Sequence, residues 1–141
     1  MSYMLDTNVL GESRKRSPDP NVEAWFASVE EEQLLTSVVV LGEIRKGHQG
    51  LLHKRDFAQA RALERWIALM KSRFGPRILP VTAEIGEAWG RMNVPAPLPE
   101  PDGLIAATAL VHGLTVVTRN LKDFERTGVP CLNPFDPTWG A

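Results

Sequence analysis

The sequence predicts an α/β fold, a three-layer sandwich in which helices cover both faces of a central parallel sheet. Two observations carry this reading. Short apolar runs alternate with helical patterns from one end to the other, as βαβ connections require. The 141 residues also show no internal repeat, low-complexity run or boundary, which suits one compact domain over 1–141.

Met1 to Leu5 is apolar and ends in Asp6, Thr7 and Asn8, so it reads as a buried strand opening onto a loop or helix start. A turn follows at Pro18 to Pro20. From Asn21 to Val29, residues Val22, Trp25, Phe26 and Val29 recur at helical spacing, with Asp19 or Asn21 available as a cap. Leu34 to Thr36 is a second candidate strand. Ser37 can cap a helix from Val38 to about His48. In the stretch Lys54 to Phe74, Leu63, Trp66, Ile67, Met70 and Phe74 line one face of an amphipathic helix that Pro76 stops. Ile78 to Val81 reads as a strand despite Pro80, and Thr82 precedes a helix over Glu84 to Met92. The connector Asn93 to Pro101 holds four prolines. Beyond it, Asp102 to Val111 is alanine-rich and helical, ending near Gly113. Leu114 to Val117 is again an apolar strand, and Leu121 to Glu125 a short turn.

Composition narrows the function classes. With 43% hydrophobic and 23% charged residues, the chain can build a core, which argues against disorder. Sixteen Lys and Arg against seventeen Asp and Glu give a net charge of -1, so any nucleic-acid contact must be local, not a bulk attraction. The only cysteine, Cys131, permits no internal disulfide and no thiolate metal cluster, in keeping with a reducing cytoplasm. The opening MSYMLDTN lacks a basic stretch followed by an apolar run, and no segment approaches the roughly 18 apolar residues of a membrane helix. A soluble, cytoplasmic protein is expected.

Ligands of open α/β sheets bind in the crevice beyond the carboxyl ends of the strands, and acids stand at two such places. Asp6 follows the first strand. Asp123 closes the TRNLKD run after the Leu114 to Val117 strand. Each also has a plain structural reading: Asp6 as a helix cap, Asn120 with Asp123 as a capping box. Glu43 rises from a helix face carrying Val39 and Val40, an expensive place for an anion without compensation, the alternative being a partly exposed helix edge. Asp102 begins a helix that is almost wholly apolar from Leu104 through Leu110. It is either a simple N-cap or an acid aimed into a cleft. Were the four to converge, each pair at ~4 Å would repel by about 4 kcal/mol at an effective dielectric of ~20. Such a cluster calls for a cation. All-oxygen donors suit Mg²⁺ or Mn²⁺, whereas His48, His53 and His112 lack the spacing of a zinc site.

These residues resemble the PIN-domain ribonucleases, in particular the VapC and FitB-like toxins. The resemblance runs through YMLDTNVL at Tyr3 to Leu10, GEIRKG at Gly42 to Gly47, PDGLIAATAL at Pro101 to Leu110 and VTRNLKDF at Val117 to Phe124, with VPCLNPF similar to the family's closing strand. It implies that Asp6, Glu43 and Asp102 are metal-binding, catalytic carboxylates and that Asp123 is the fourth. In some relatives an acid stands where Asn120 is here. Thr7, Asn8, Thr118 and Asn120 match polar residues lining such sites. The implied activity is hydrolysis of RNA phosphodiesters with Mg²⁺ or Mn²⁺. Arg119 and Lys122 near Asp123, and Arg45 near Glu43, are candidate backbone contacts, with Arg14, Lys15, Arg16 and Lys46 behind them. The implied partner is an antitoxin whose C-terminal segment blocks the site while its other half binds DNA. A homodimer is also implied, for which Trp25, Trp66 or Trp89 could supply apolar interface.

Two rivals stand beside this reading. Phosphate-transfer hydrolases also place an aspartate after the first strand, but usually with a second acid two residues on, where this chain has Asn8. A PIN-like module that binds a metal or partner without cutting RNA is the other.

Overall fold

A computed structural model describes residues 1–139; residues 140 and 141, the end of the domain expected from the sequence, lie outside it. Among the described residues five parallel strands form the expected sheet: β1 (Tyr3–Leu5), β2 (Leu34–Ser37), β3 (Ile78–Leu79), β4 (Thr115–Val117) and β5 (Cys131–Leu132). Their spatial order is β3-β2-β1-β4-β5. Seven α-helices flank the sheet among the described residues, giving the three-layer α/β arrangement: α1 (Thr7–Glu12), α2 (Pro20–Ala27), α3 (Val38–His53), α4 (Phe57–Phe74), α5 (Ala83–Met92), α6 (Asp102–His112) and α7 (Leu121–Phe124).

Chain order reverses at β1. The path from β1 goes to β2 and β3 on one side, then crosses to β4 and β5 on the other, so the crevice between β1 and β4 is the switch point at which such sheets bind ligands. Pairing is in register there, with Met4 opposite Val116 and Leu5 opposite Val117. The Asp6 amide continues the ladder by donating to the Val117 carbonyl at 3.0 Å.

The core follows the apolar pattern. Met4, Leu5, Val116 and Val117 are fully buried, and Val9, Val22, Trp25, Ile67 and Ile105 close over them. On α4 the buried residues Leu63, Ile67, Met70 and Phe74 trace the stripe expected from their spacing. Trp25 is 1% exposed and meets Tyr3 and Phe26 edge-on, so it belongs to the core and cannot serve as a dimer contact. Among the described residues no helix is long and apolar enough to cross a membrane.

Several boundaries differ from the sequence reading. β1 begins at Tyr3 instead of Met1. Asp19, and not Asn21, caps α2, accepting from the Asn21 and Val22 amides. The Ser37 hydroxyl caps α3 as expected, but α3 runs to His53, because its length packs against α4. Arg55 then turns with φ 64° before Asp56 caps α4 at the Gln59 amide. β3 stops at Leu79, since Pro80 has no N–H to continue the ladder. Pro101, not Asp102, holds the cap position of α6, and the Asp102 side chain makes no capping bond.

α5 and α6 pack closely over the proline connector, and the start of α6 has little room. A Cβ on Gly103 would lie 3.1 Å from Trp89 Nε1 and 3.3 Å from Leu98 Cβ. Leu98 is buried and its amide is held by Asn93 Oδ1 at 2.9 Å, so it does not give way readily. Gly103→Ala is therefore expected to destabilise the chain by about 1 kcal/mol, overpacking outweighing the helix propensity gained. Urea denaturation reads this directly; a rise in midpoint would show that Trp89 yields without cost.

Candidate active site

The topology brings four carboxylates to one edge of the sheet. Asp6 follows β1, Glu43 lies in the second turn of the helix that follows β2, and Asp123 lies in the helix that follows β4. Helix α6 leads into β4 and so runs opposite to the strands, which sets its first residue, Asp102, at the same edge.

Asp6 is the anchor. Only 3% exposed, its carboxylate accepts from the Thr7 amide at 2.8 Å, the Thr118 hydroxyl at 2.7 Å and Asn8 Nδ2 at 3.3 Å. Burial pushes its pKa up, and these three donors oppose the rise. Thr118 Oγ1 in turn accepts from Asn8 Nδ2 at 3.3 Å and from the Asn120 amide at 3.0 Å. Asn120 thus takes part through its backbone. Its side chain caps nothing, so the capping-box alternative for Asn120 and Asp123 is not what forms. The plain reading of Asp6 does occur, since it caps α1, yet only one carboxylate oxygen is used for it.

Glu43 is half-buried beside Val39 and Val40, and the Thr7 hydroxyl donates to its Oε1 at 2.6 Å. Asp102 is half-buried and lacks such donors. Its pKa is pushed up to about 7, by burial first, then by its hydrogen-bonding proximity to the Asp123 carboxyl, then by the charges of Asp6, Asp123 and Glu43. The four acids therefore share one electrostatic environment. They do not form a ready-made cage: among the described residues no three carboxylate, imidazole or thiol groups stand at metal-ligand spacing. Like charges without a counter-charge keep apart. Donor chemistry still suits a hard divalent cation, for the set is all oxygen.

The basic candidates separate sharply. Arg45 reaches α4, pairing with Glu64 at 2.8 Å and approaching His48 Nδ1 at 3.2 Å, and so is engaged away from the acids. Lys122 is exposed. The Arg119 amide donates to Asn8 Oδ1 at 3.0 Å, and its guanidinium lies over the Phe135 ring, 4.6 Å from the centroid. Two contributors escaped the sequence reading. Glu12 is buried, holding Lys15 Nζ at 2.8 Å and the Asp19 amide at 2.8 Å. Phe135 comes from the tail, which the pairing of β5 with β4 and the Asn21 side chain on α2 hold in place.

A separate apolar groove of about 700 Å³ opens between α1, α2 and α4. Leu5, the residue before Asp6, and Leu10 line it together with Phe26, Trp66, Leu69 and Met70.

Comparison with known proteins bears on this geometry. Residues 3–130 match the PIN domain family. The chain is 31% identical over 141 residues to VapC ribonuclease Y4jK of Sinorhizobium fredii, covering 95% of this chain and 98% of that protein. It is 33% identical over 138 residues to Toxin FitB of Neisseria gonorrhoeae, covering 94% and 97%. The crystal structure of FitAcB from Neisseria gonorrhoeae superposes with a TM-score of 0.80 at 32% identity, covering 94% of this chain and 98% of that one.

The raised pKa of Asp102 makes metal-free stability pH-dependent. Between its ordinary value of 3.8 and about 7, the folded chain holds a proton that the unfolded chain has lost. Stability is then greatest below the lower value and falls as pH rises through that window. Melting in EDTA at pH 5 and pH 8 is expected to give the lower Tm at pH 8, and Asp102→Asn to remove most of the difference and raise Tm at pH 8 by a few degrees. A fall in Tm at pH 8 comparable to that of a core substitution would assign the carboxylate a structural role instead.

Proposed function

The chain belongs to the PIN domain family, and from that premise we propose that it is a metal-dependent endoribonuclease acting as the toxin of a toxin-antitoxin pair in the cytoplasm. The observation that carries the reading is the placement of Asp6, Glu43, Asp102 and Asp123 together at the carboxyl edge of the sheet, beside its switch point. Mg²⁺ or Mn²⁺ is the proposed cofactor, held by these four residues.

When bound, such an ion supplies charge neutralisation at the phosphate and lowers the pKa of water. The remaining work falls to the chain's own groups. Thr118, Asn8 and the Thr7 amide fix the direction of the Asp6 carboxylate, and Thr7 Oγ1 fixes that of Glu43. Asp102 or Asp123 supplies the base, and the Asp102 carboxyl, pushed up to about 7, is matched to accepting the proton of the attacking water. Arg119 and Lys122, exposed beside Asp123, attract the RNA backbone.

The proposed partner is an antitoxin that also binds DNA. Its inhibitory segment would lay an apolar face in the groove lined by Phe26, Trp66 and Leu69 and deliver a cationic side chain past Leu5 and Leu10 to the carboxylates. The acidity of the site is what makes a cation the fitting end of that segment.

The decisive experiment is incubation of the pure chain with structured RNA in Mg²⁺, Mn²⁺ or EDTA. Cleavage is expected with either ion and not with EDTA, falling to background in Asp6→Asn and Asp102→Asn. Thr118→Val, which removes a supporting donor, is expected to lower it by about 10–100-fold. Undiminished cleavage in EDTA would remove the metal from the proposal. Intact RNA alongside phosphatase activity would favour a phosphate-transfer hydrolase, and a chain that binds ions without cutting would be a non-catalytic module.

A further inference from the structure

We propose that Arg119 and Phe135 form a stacking platform for an unpaired base next to the scissile phosphate, so that the RNA is read as a single strand at that position; this rests on the nuclease reading above.

Arg119 is tied to the carboxylate site through its backbone. It follows Thr118, whose hydroxyl donates to Asp6, and its own amide donates to Asn8 Oδ1 at 3.0 Å while the same side chain donates to Asp6 Oδ2 at 3.3 Å. One asparagine thus sets the distance from the anchor acid to the root of Arg119. The aromatic half is equally well held. The Phe135 amide donates to Asn133 Oδ1 at 3.0 Å, and its carbonyl accepts from Asn21 Nδ2 at 2.9 Å, so α2 and the tail clamp the ring's backbone together.

What marks the pair as a ligand surface is a contrast within the chain. Arg77 also lies over an aromatic ring, that of Phe74, but its guanidinium donates to the carbonyls of Glu31, Leu34 and Arg73 and is fully employed in structure. The Arg119 guanidinium makes no hydrogen bond and no ion pair among the described residues, and the residue is exposed. Glu12, the carboxylate whose field reaches it, is already committed to Lys15 and to the Asp19 amide. The guanidinium carbon lies 4.6 Å from the ring centroid, and the N–H groups have no partner among the described residues.

A flat cation restrained on an aromatic ring offers two things beside a site for phosphate. It stacks on a base of any identity, and it adds positive charge where the strand enters. Bases within an A-form duplex already stack on their neighbours and cannot use such a surface, whereas unpaired bases of loops and ends can. Lysine, a point charge, would supply the second property without the first.

The test is fluorescence anisotropy of a labelled oligoribonucleotide, free or annealed to its complement, with the full chain in EDTA so that binding is read apart from cleavage. The single strand is expected to bind more tightly than the duplex. Arg119→Lys is expected to weaken single-strand binding about tenfold while leaving the salt dependence and the duplex affinity unchanged. Phe135→Leu, with folding checked by its melting curve, should match that loss. Equal affinity of Arg119→Lys and the unaltered chain, or equal affinity for strand and duplex, would overturn the platform and leave the nuclease reading intact. Cleavage in Mn²⁺ by the unaltered chain decides that reading separately, and absence of both binding and cleavage would sink the two together.

Discussion

Repulsion among carboxylates at the carboxyl edge of the sheet is the constraint to which the rest of the structure answers. A buried Asp6 costs free energy as an anion unless donors compensate it, and the chain brings them from both sides of the switch point: Thr7 and Asn8 after β1, Thr118 after β4. Those bonds also join the ends of the two central strands, so the groups that make the acid tolerable help to define the crevice. Asp102 shows what happens without them. Less buried than Asp6, it is nevertheless driven up to about 7, by its own desolvation first and then by the Asp123 carboxyl and the like charges around it, with no donor to oppose the rise.

Where burial and local geometry act together, the sequence carried the answer. The Leu63, Ile67, Met70 and Phe74 stripe, the Ser37 cap and the turn at Gly113, with its left-handed φ of 66°, are all local statements of the same fold. Legibility failed where a distant element decided. α3 passes through Gly47 and Gly50 to His53 because α4 lies alongside, and no local signal asks for that length. The acids followed the same division. Position after a strand pointed to Asp6 and Asp123, while the choice between cap and cleft for Asp102 needed the backbone, which gives the cap position to Pro101.

The arginines show the limit most plainly. Arg45 lies two residues from Glu43, and Arg119 four from Asp123, so nearness in sequence ranks both as plausible contacts. Three-dimensional partners separate them. Arg45 turns across α3 to Glu64 on another helix, and Arg119 is held over a ring contributed by the C-terminal tail. Neither partner could be paired with its arginine from composition or periodicity, because each contact joins segments whose meeting depends on the packed fold.

The site is also divided in how tightly its members are held. Asp6 and Glu43 are each fixed by a threonine hydroxyl, Thr118 at 2.7 Å and Thr7 at 2.6 Å, whereas Asp102 and Asp123 have chiefly each other. A rigid pair defines a direction, and a loosely tethered pair responds to whatever charge arrives. That division accounts for acids that sense one another and yet form no closed set of three at ligand spacing among the described residues. Rotating an untethered side chain costs of order 1 kcal/mol or less where a staggered rotamer is available. Drawing in Asp6 would mean breaking three hydrogen bonds to a buried anion. The fold thus places its donors on Asp6 and Glu43 and leaves Asp102 and Asp123 without side-chain donors among the described residues.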